Sequence, residues 1–229
     1  MKILVACEES QRVCTAFREK GHEAFSCDIL ETSGTYPEWH IVQDVTPLLN
    51  GNCEFRTQDG TPCRIVGNWD MIIAFPPCTY LSNVATRAYS LKSTPAEMVV
   101  ERWELRAKAV IFFMRIAGAE CKKIAIENPV GFMNSAYRKP EQVISPWMFC
   151  ESETDEEYVA KRTCLWLKGL PKLKANPNIK PYEHGIYGKY SNGKNKTWED
   201  YFERSIKGRS KTFKVIARAM AEQWTKEGV

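Results

Sequence analysis

The chain opens with an apolar run, Ile3-Leu4-Val5-Ala6, that meets Glu8 and Glu9 almost at once. A short continuous run of this kind predicts a buried strand over Lys2 to Ala6. Ser10 is a helix-capping residue type. Val13, Phe17 and their neighbours then form an apolar face to about Lys20, and Gly21 is placed to end the helix. Glu23 to Cys27 predicts a second strand that closes on Asp28. Strand, helix and strand in such a short stretch favour a right-handed βαβ unit and a parallel sheet.

His40 to Val45 reads as a short third strand, and 50–68, rich in Gly, Asn, Asp and Thr, as a loop or small hairpin. Trp69 to Phe75 is the strongest central strand, because Met71-Ile72-Ile73-Ala74 is uninterrupted and Pro76-Pro77 cannot continue a ladder. Thr79 to Thr94 is a long polar and aromatic connection. Pro95 to about Glu120 is an amphipathic helix, and Lys122 to Ile126 a strand ending at Glu127-Asn128-Pro129. Residues 151–157 carry five acids and read as solvated surface. Thr163 to Leu167 reads as a strand. Lys172 to Lys211 shows little periodicity. Thr212 to about Lys226 is a last helix, with Phe213, Ile216, Ala217, Met220 and Trp224 on one stripe. The expected architecture is α/β, a Rossmann-like doubly wound, mostly parallel sheet. It divides into a body over 1–168, a small basic segment over 169–211, and a helix over 212–229 that packs back on the body. Ligands of such sheets bind beyond the carboxyl ends of the strands.

At 229 residues, 44% apolar and 26% charged, the composition is globular and excludes a disordered chain, a collagen or a coiled coil. No apolar stretch is long enough for a membrane helix, and the N-terminal run lacks the length of a secretory signal, so a cytoplasmic location is expected. Nine cysteines, an odd number scattered along the chain, argue for free thiols. The net charge of +4 is uninformative in total but uneven in place. From Leu170 to Lys214 there are 11 Lys/Arg against 4 Asp/Glu, a net of +7 that leaves −3 for the rest. Tyr182, Tyr187, Tyr190, Trp198, Tyr201 and Phe202 interleave with these cations. That is a pattern suited to phosphates and stacked bases, although a solvated loop with aromatics folded onto the core would read the same way.

Cys78 stands just past a strand that two prolines stop. There it is either a nucleophile facing a cleft or an inert buried thiol. Glu127, at the next strand end, is either an acid in the same cleft or a capping or ion-paired surface residue. Together they suit one reaction. A thiolate adds to carbon 6 of a pyrimidine while an acid supports charge at nitrogen 3, and carbon 5 becomes nucleophilic enough to take an electrophilic methyl group.

Pro76-Pro77-Cys78, with Glu127-Asn128-Pro129 following 49 positions after the cysteine, resembles the Pro-Pro-Cys and Glu-Asn-Val motifs of the DNA cytosine carbon-5 methyltransferases. Ala6-Cys7-Glu8-Glu9-Ser10 to Cys27-Asp28 looks like a small variant carried by phages and prophages. The resemblance spans residues 1 to about 167, and Arg209 to Trp224 is similar to the family's final helix. It implies a class I methyltransferase fold, S-adenosylmethionine as cofactor and DNA as partner, with the target base flipped out of the stack. On it, Cys78 is the nucleophile, Glu127 the acid at nitrogen 3, and Arg162, from Lys161-Arg162-Thr163, a contact to the pyrimidine carbonyl oxygen. Asp28, with Ile29 beside it, would hold the ribose hydroxyls. Asp44 and Val45 would meet adenine. Cys7, Glu8, Glu9, Ser10 and Pro76 would line the methionine end. Pro77, Tyr80, Asn83, Arg87, Asn128 and Pro129 would face the target. The chain departs from the family in having Cys7-Glu8-Glu9-Ser10 where a Gly-rich turn is usual. The two acids there are either amino-group ligands or the acidic start of a helix.

Other readings stand beside this one. Phe75-Pro76-Pro77-Cys78-Thr79-Tyr80 also looks like the Asp/Asn-Pro-Pro-Tyr signature of amino methyltransferases, but Phe75 offers no hydrogen-bond acceptor to a target amino group. The same covalent chemistry fits a free pyrimidine nucleotide or RNA, and a non-catalytic DNA- or cofactor-binding module is the further alternative. Cys53 and Cys63, with His40 nearby, lack the paired Cys-x-x-Cys of a zinc site, and no metal is expected.

Overall fold

The computed structural model describes residues 1–182, 189, 191–193 and 211–226. Its main sheet has seven strands: β1 (Lys2–Ala6), β2 (Glu23–Asp28), β3 (His40–Val42), β6 (Met71–Ala74), β7 (Ile124–Pro129), β8 (Gln142–Ile144) and β9 (Thr163–Lys168). A separate antiparallel hairpin joins β4 (Cys53–Arg56) to β5 (Pro62–Ile65). The order across the sheet is β3-β2-β1-β6-β7-β9-β8. Strands β3, β2, β1, β6 and β7 run parallel, while β9 pairs antiparallel with both neighbours. The described helices are α1 (Arg12–Glu19), α2 (Ala96–Ala117), α3 (Met133–Ala136) and α4 (Lys214–Trp224).

Strand alternation explains the layering, since successive side chains point to opposite faces. Ile3, Val5, Met71, Ile73, Ala125 and Leu165 pack with α1 and α4 on one face. Leu4, Ala6, Ile72, Ala74, Ile126 and Trp166 pack with Phe113 and Ile116 of α2 on the other. Both faces are covered, which is why these strands read as unbroken apolar runs. After β1 the chain winds outward to β2 and β3, and it later returns to add β6 and β7 on the other side of β1. The winding therefore reverses between β1 and β6, and ligands of such sheets bind beyond the carboxyl ends of the strands at a reversal of this kind. The fold is mixed α/β with a largely parallel sheet, compatible with a Rossmann-like arrangement.

Several expected boundaries move. Helix α1 starts at Arg12, because Gln11 before it is left-handed at φ 57° and is not capped by Ser10. Strand β3 stops at Val42, leaving Asp44 in the following turn. Glu127, Asn128 and Pro129 lie inside β7, opposite Leu165, Cys164 and Thr163 of β9, and not beyond the strand. The acidic run over 151–157 is not merely solvated surface. The Glu157 carboxylate accepts the N–H groups of Lys214 (3.0 Å) and Val215 (2.8 Å), and Glu151 pairs with Arg218 at 2.8 Å, so this run docks the start of α4.

The first part of the basic segment belongs to the body. Leu173 and Ile179 are buried in the core, Gln142 and Leu173 exchange hydrogen bonds of 2.7 and 2.8 Å, and the Trp224 indole donates to the Pro171 carbonyl. Tyr182 packs edge-on against Tyr158. Tyr187, Tyr190, Trp198, Tyr201, Phe202 and Arg209 lie outside the described residues. Among the described residues, no helix is long and apolar enough to cross a membrane.

Candidate functional site

Adjacent parallel strands set the two chemical groups side by side. Strand β6 delivers Phe75-Pro76-Pro77-Cys78 and β7 delivers Glu127-Asn128-Pro129 at the same sheet edge. Buried Asn128 donates its side-chain amide to the Pro76 carbonyl at 2.7 Å, tying one strand end to the other. Its side-chain oxygen is buried without a partner. Pro76 is buried and Pro77 exposed. The Cys78 carbonyl then accepts the N–H groups of Leu81 and Ser82, both at 2.9 Å, turning the chain back. Ser82 bridges Gly131, and the Phe132 N–H donates to the Leu81 carbonyl at 2.7 Å. The backbones approach so closely that a Cβ on Gly131 would stand 2.1 Å from that carbonyl oxygen. The loops after Cys78 and after Pro129 are thus zipped together.

Charge couples the pair. Burial pushes the Cys78 thiol up, the Glu127 carboxylate raises it further, and Lys161 works against both. Burial drives the Glu127 carboxyl up to about 7, with Lys161 pulling the other way. Glu127 therefore holds its proton to near neutral pH, where an ordinary carboxyl does not. Thr163 on β9 donates its hydroxyl to Glu127 Oε1 and also lies 3.2 Å from the Asn128 carbonyl, which fixes the carboxyl from behind.

The cation acting on both groups is Lys161. Arg162 is exposed, and its charge registers at Cys164 instead. Lys161 and Thr163 were the residues that motif matching missed.

The connection after Cys78 is latched to α2. The Tyr80 carbonyl accepts Arg106 Nε–H at 2.8 Å and the Tyr89 hydroxyl at 3.0 Å. The buried Arg106 guanidinium sits 3.4 Å from the Tyr89 ring centre and 4.5 Å from that of Phe132. Asn83 starts a 3-10 helix, Asn83–Tyr89, and Arg87 in its last turn is exposed.

On the other side of the switch point, Cys7 is left-handed at φ 59°. With Gln11 it gives the turn two conformations that favour glycine, held in place by neighbours. Gln11 is clamped by Tyr36, donating to its carbonyl at 2.7 Å and accepting its N–H at 3.1 Å. The two acids in this turn differ. The buried Glu8 carboxylate accepts the N–H groups of Val13 (2.6 Å) and Cys14 (3.1 Å), so it caps α1 and is not available to a ligand. Glu9 accepts the Ser33 N–H through Oε2, while its Oε1 is buried with no partner. Ser10 lies partly buried between Glu9 and the helix.

Asp28 Oδ1 accepts the Leu30 N–H at 3.0 Å, and Ile29 beside it is 75% exposed. Asp44 caps the next turn through the Thr46 N–H at 2.7 Å, which holds its carboxyl below the usual range, and Val45 is buried in the core. His40 has both ring nitrogens engaged, by Ser26 Oγ at 2.8 Å and the Leu30 carbonyl at 2.9 Å. Cys53 and Cys63 stand opposite Ile65 and Phe55 on the hairpin, and no group of three metal-ligating side chains occurs among the described residues.

The site thus joins a thiol and a neutral acid on one flank of the switch point to a turn with unspent acceptors on the other. No protein-family model matches the chain, and none of the curated proteins compared with it does.

Proposed function

We propose that the chain is an S-adenosylmethionine-dependent methyltransferase acting at carbon 5 of cytosine in DNA, on a class I methyltransferase fold. The observation that carries the reading is the pairing of the Cys78 thiol with a Glu127 carboxyl raised to about 7, on adjacent strand ends locked by Asn128 and Pro76.

The acceptors across the switch point fit the cofactor. The second oxygen of Asp28 would accept from ribose hydroxyls, the exposed Ile29 would offer an apolar surface to the adenine side, and the orphaned Glu9 Oε1 would suit an ammonium group. When bound, S-adenosylmethionine supplies an electrophilic methyl group on a sulfonium sulfur. Cys78 Sγ, as thiolate, forms a bond to carbon 6 of the cytosine, and the Glu127 carboxyl gives its proton to nitrogen 3 as the ring takes up charge. Carbon 5 becomes enamine-like and nucleophilic. Lys161 favours the thiolate. After methylation, a base removes the carbon-5 proton, the ring expels the thiolate and nitrogen 3 returns its proton to Glu127.

The test is methyl transfer from labelled S-adenosylmethionine to duplex DNA, single-stranded DNA, RNA and cytidine monophosphate. Label on DNA that is lost in Cys78→Ser, with cofactor binding retained, supports the reading. Transfer to the nucleotide or RNA alone moves the substrate, and unchanged behaviour of Cys78→Ser in every assay favours a non-catalytic binding module.

A further inference from the structure

Helix α2 turns one face to the core through Val99, Arg106, Phe113 and Ile116. Its outward side carries an apolar stripe beside a charged flank. Val100, Trp103, Ile111 and Met114 are 59, 46, 52 and 42% exposed, with the small Ala107 exposed at the centre of the stripe. Solitary exposed apolar residues are ordinary, but a contiguous stripe along a 22-residue helix marks a contact surface. Its spacing is palindromic. From Ala107 the apolar positions lie four and seven residues away in both directions.

The flanking charges are divided by sign about the same centre. Exposed Glu97, Glu101 and Glu104 occupy the first half of the helix, and exposed Lys108 and Arg115 the second. None of the five makes an ion pair among the described residues, although the charge of Arg115 also reaches Asp44. All five lie along one flank of the stripe, and in an antiparallel pair of identical helices that flank meets itself.

The geometry points to a second copy of this chain as the occupant of this face. Two α2 helices pack antiparallel about a twofold axis at Ala107. Val100 then lies opposite Met114 of the other copy and Trp103 opposite Ile111, while Glu101 and Glu104 come within a helical turn of Arg115 and Lys108. A self-complementary patch of this kind closes a dimer and leaves no surface for further growth. An axis perpendicular to α2 turns the two sheets in opposite directions, so their carboxyl edges point apart and both candidate sites stay open.

The test is the solution mass of the full chain by light scattering and sedimentation across a concentration series. A dimer is expected, converting to monomer in Ile111→Glu without change in far-ultraviolet circular dichroism. Arg115→Glu is expected to weaken the dimer at least tenfold, and Glu101→Arg combined with Arg115→Glu to restore it. A monomeric wild-type chain at all concentrations, a dimer that survives Ile111→Glu, or a charge-reversed pair that fails to recover would each overturn the assignment.

Discussion

The Asn128 side-chain amide reaches across from β7 to the Pro76 carbonyl at 2.7 Å, tying together the two strand ends that carry Cys78 and Glu127. Asn128 is 1% exposed, so its polar groups have no water to turn to. Asn128→Ala is expected to cost about 1–3 kcal/mol of stability through the orphaned carbonyl. It should also lower turnover by about 100-fold through misplacement of the reacting groups, with the dissociation constant for S-adenosylmethionine little changed. Calorimetric unfolding and single-turnover kinetics measure the two effects separately.

Lys161 opposes the upward shift of both Cys78 and Glu127. Lys161→Gln therefore moves both groups up. Because the thiol titrates above Glu127, the reactive pair of thiolate and carboxylic acid is a minor form, so the pH–rate profile levels off near the Glu127 value of about 7 and falls only above that of the thiol, and both limbs should shift to higher pH. Arg162→Ala, exposed and acting on Cys164 instead, is expected to leave both limbs in place.

How much of this was readable beforehand differs from residue to residue. Cys78 stood out because prolines end a strand in sequence as they do in space, and the apolar run before it could only be a buried strand. Glu127 was legible for a similar reason, although its place inside β7 depends on pairing with β9, a contact 36 residues distant. The separate roles of Glu8 and Glu9 were not legible, because they depend on Gln11 taking a left-handed conformation that starts α1 one residue late. Strand β8, with three residues, and α3, with four, are too short to show a period. The acidic run over 151–157 looked solvated because nothing local announces that Glu157 caps a helix 57 residues away.

Glu8 and Glu127 are both pushed up to about 7 by burial. A carboxyl raised in the folded state binds its proton more tightly than in the unfolded chain. Its contribution is therefore complete below the unfolded value of about 4.3 and lost as pH rises toward 7. The melting temperature should fall between about pH 4.5 and 7 and level off above that. Glu8→Gln removes the ionisation and keeps an acceptor for only one of the Val13 and Cys14 N–H groups, so it should lower the melting temperature at acid pH while thermal unfolding from pH 4 to 8 shows a flatter slope.

Gly131 has no room for a side chain, since a Cβ would meet the Leu81 carbonyl oxygen at 2.1 Å. Gly131→Ala should unzip the two loops at a cost of about 1–3 kcal/mol. Turnover should fall further than in an equally destabilised core variant such as Ile116→Val, compared at matched folded fractions.

The decisive measurement is covalent trapping on DNA carrying 5-fluorocytosine in the presence of S-adenosylmethionine. Fluorine at carbon 5 cannot leave as a proton, so the sulfur–carbon bond should persist and survive denaturation, with peptide mass analysis locating it on Cys78. No adduct on any DNA, or an adduct on another of the nine cysteines, would contradict the assignment of Cys78 as the nucleophile.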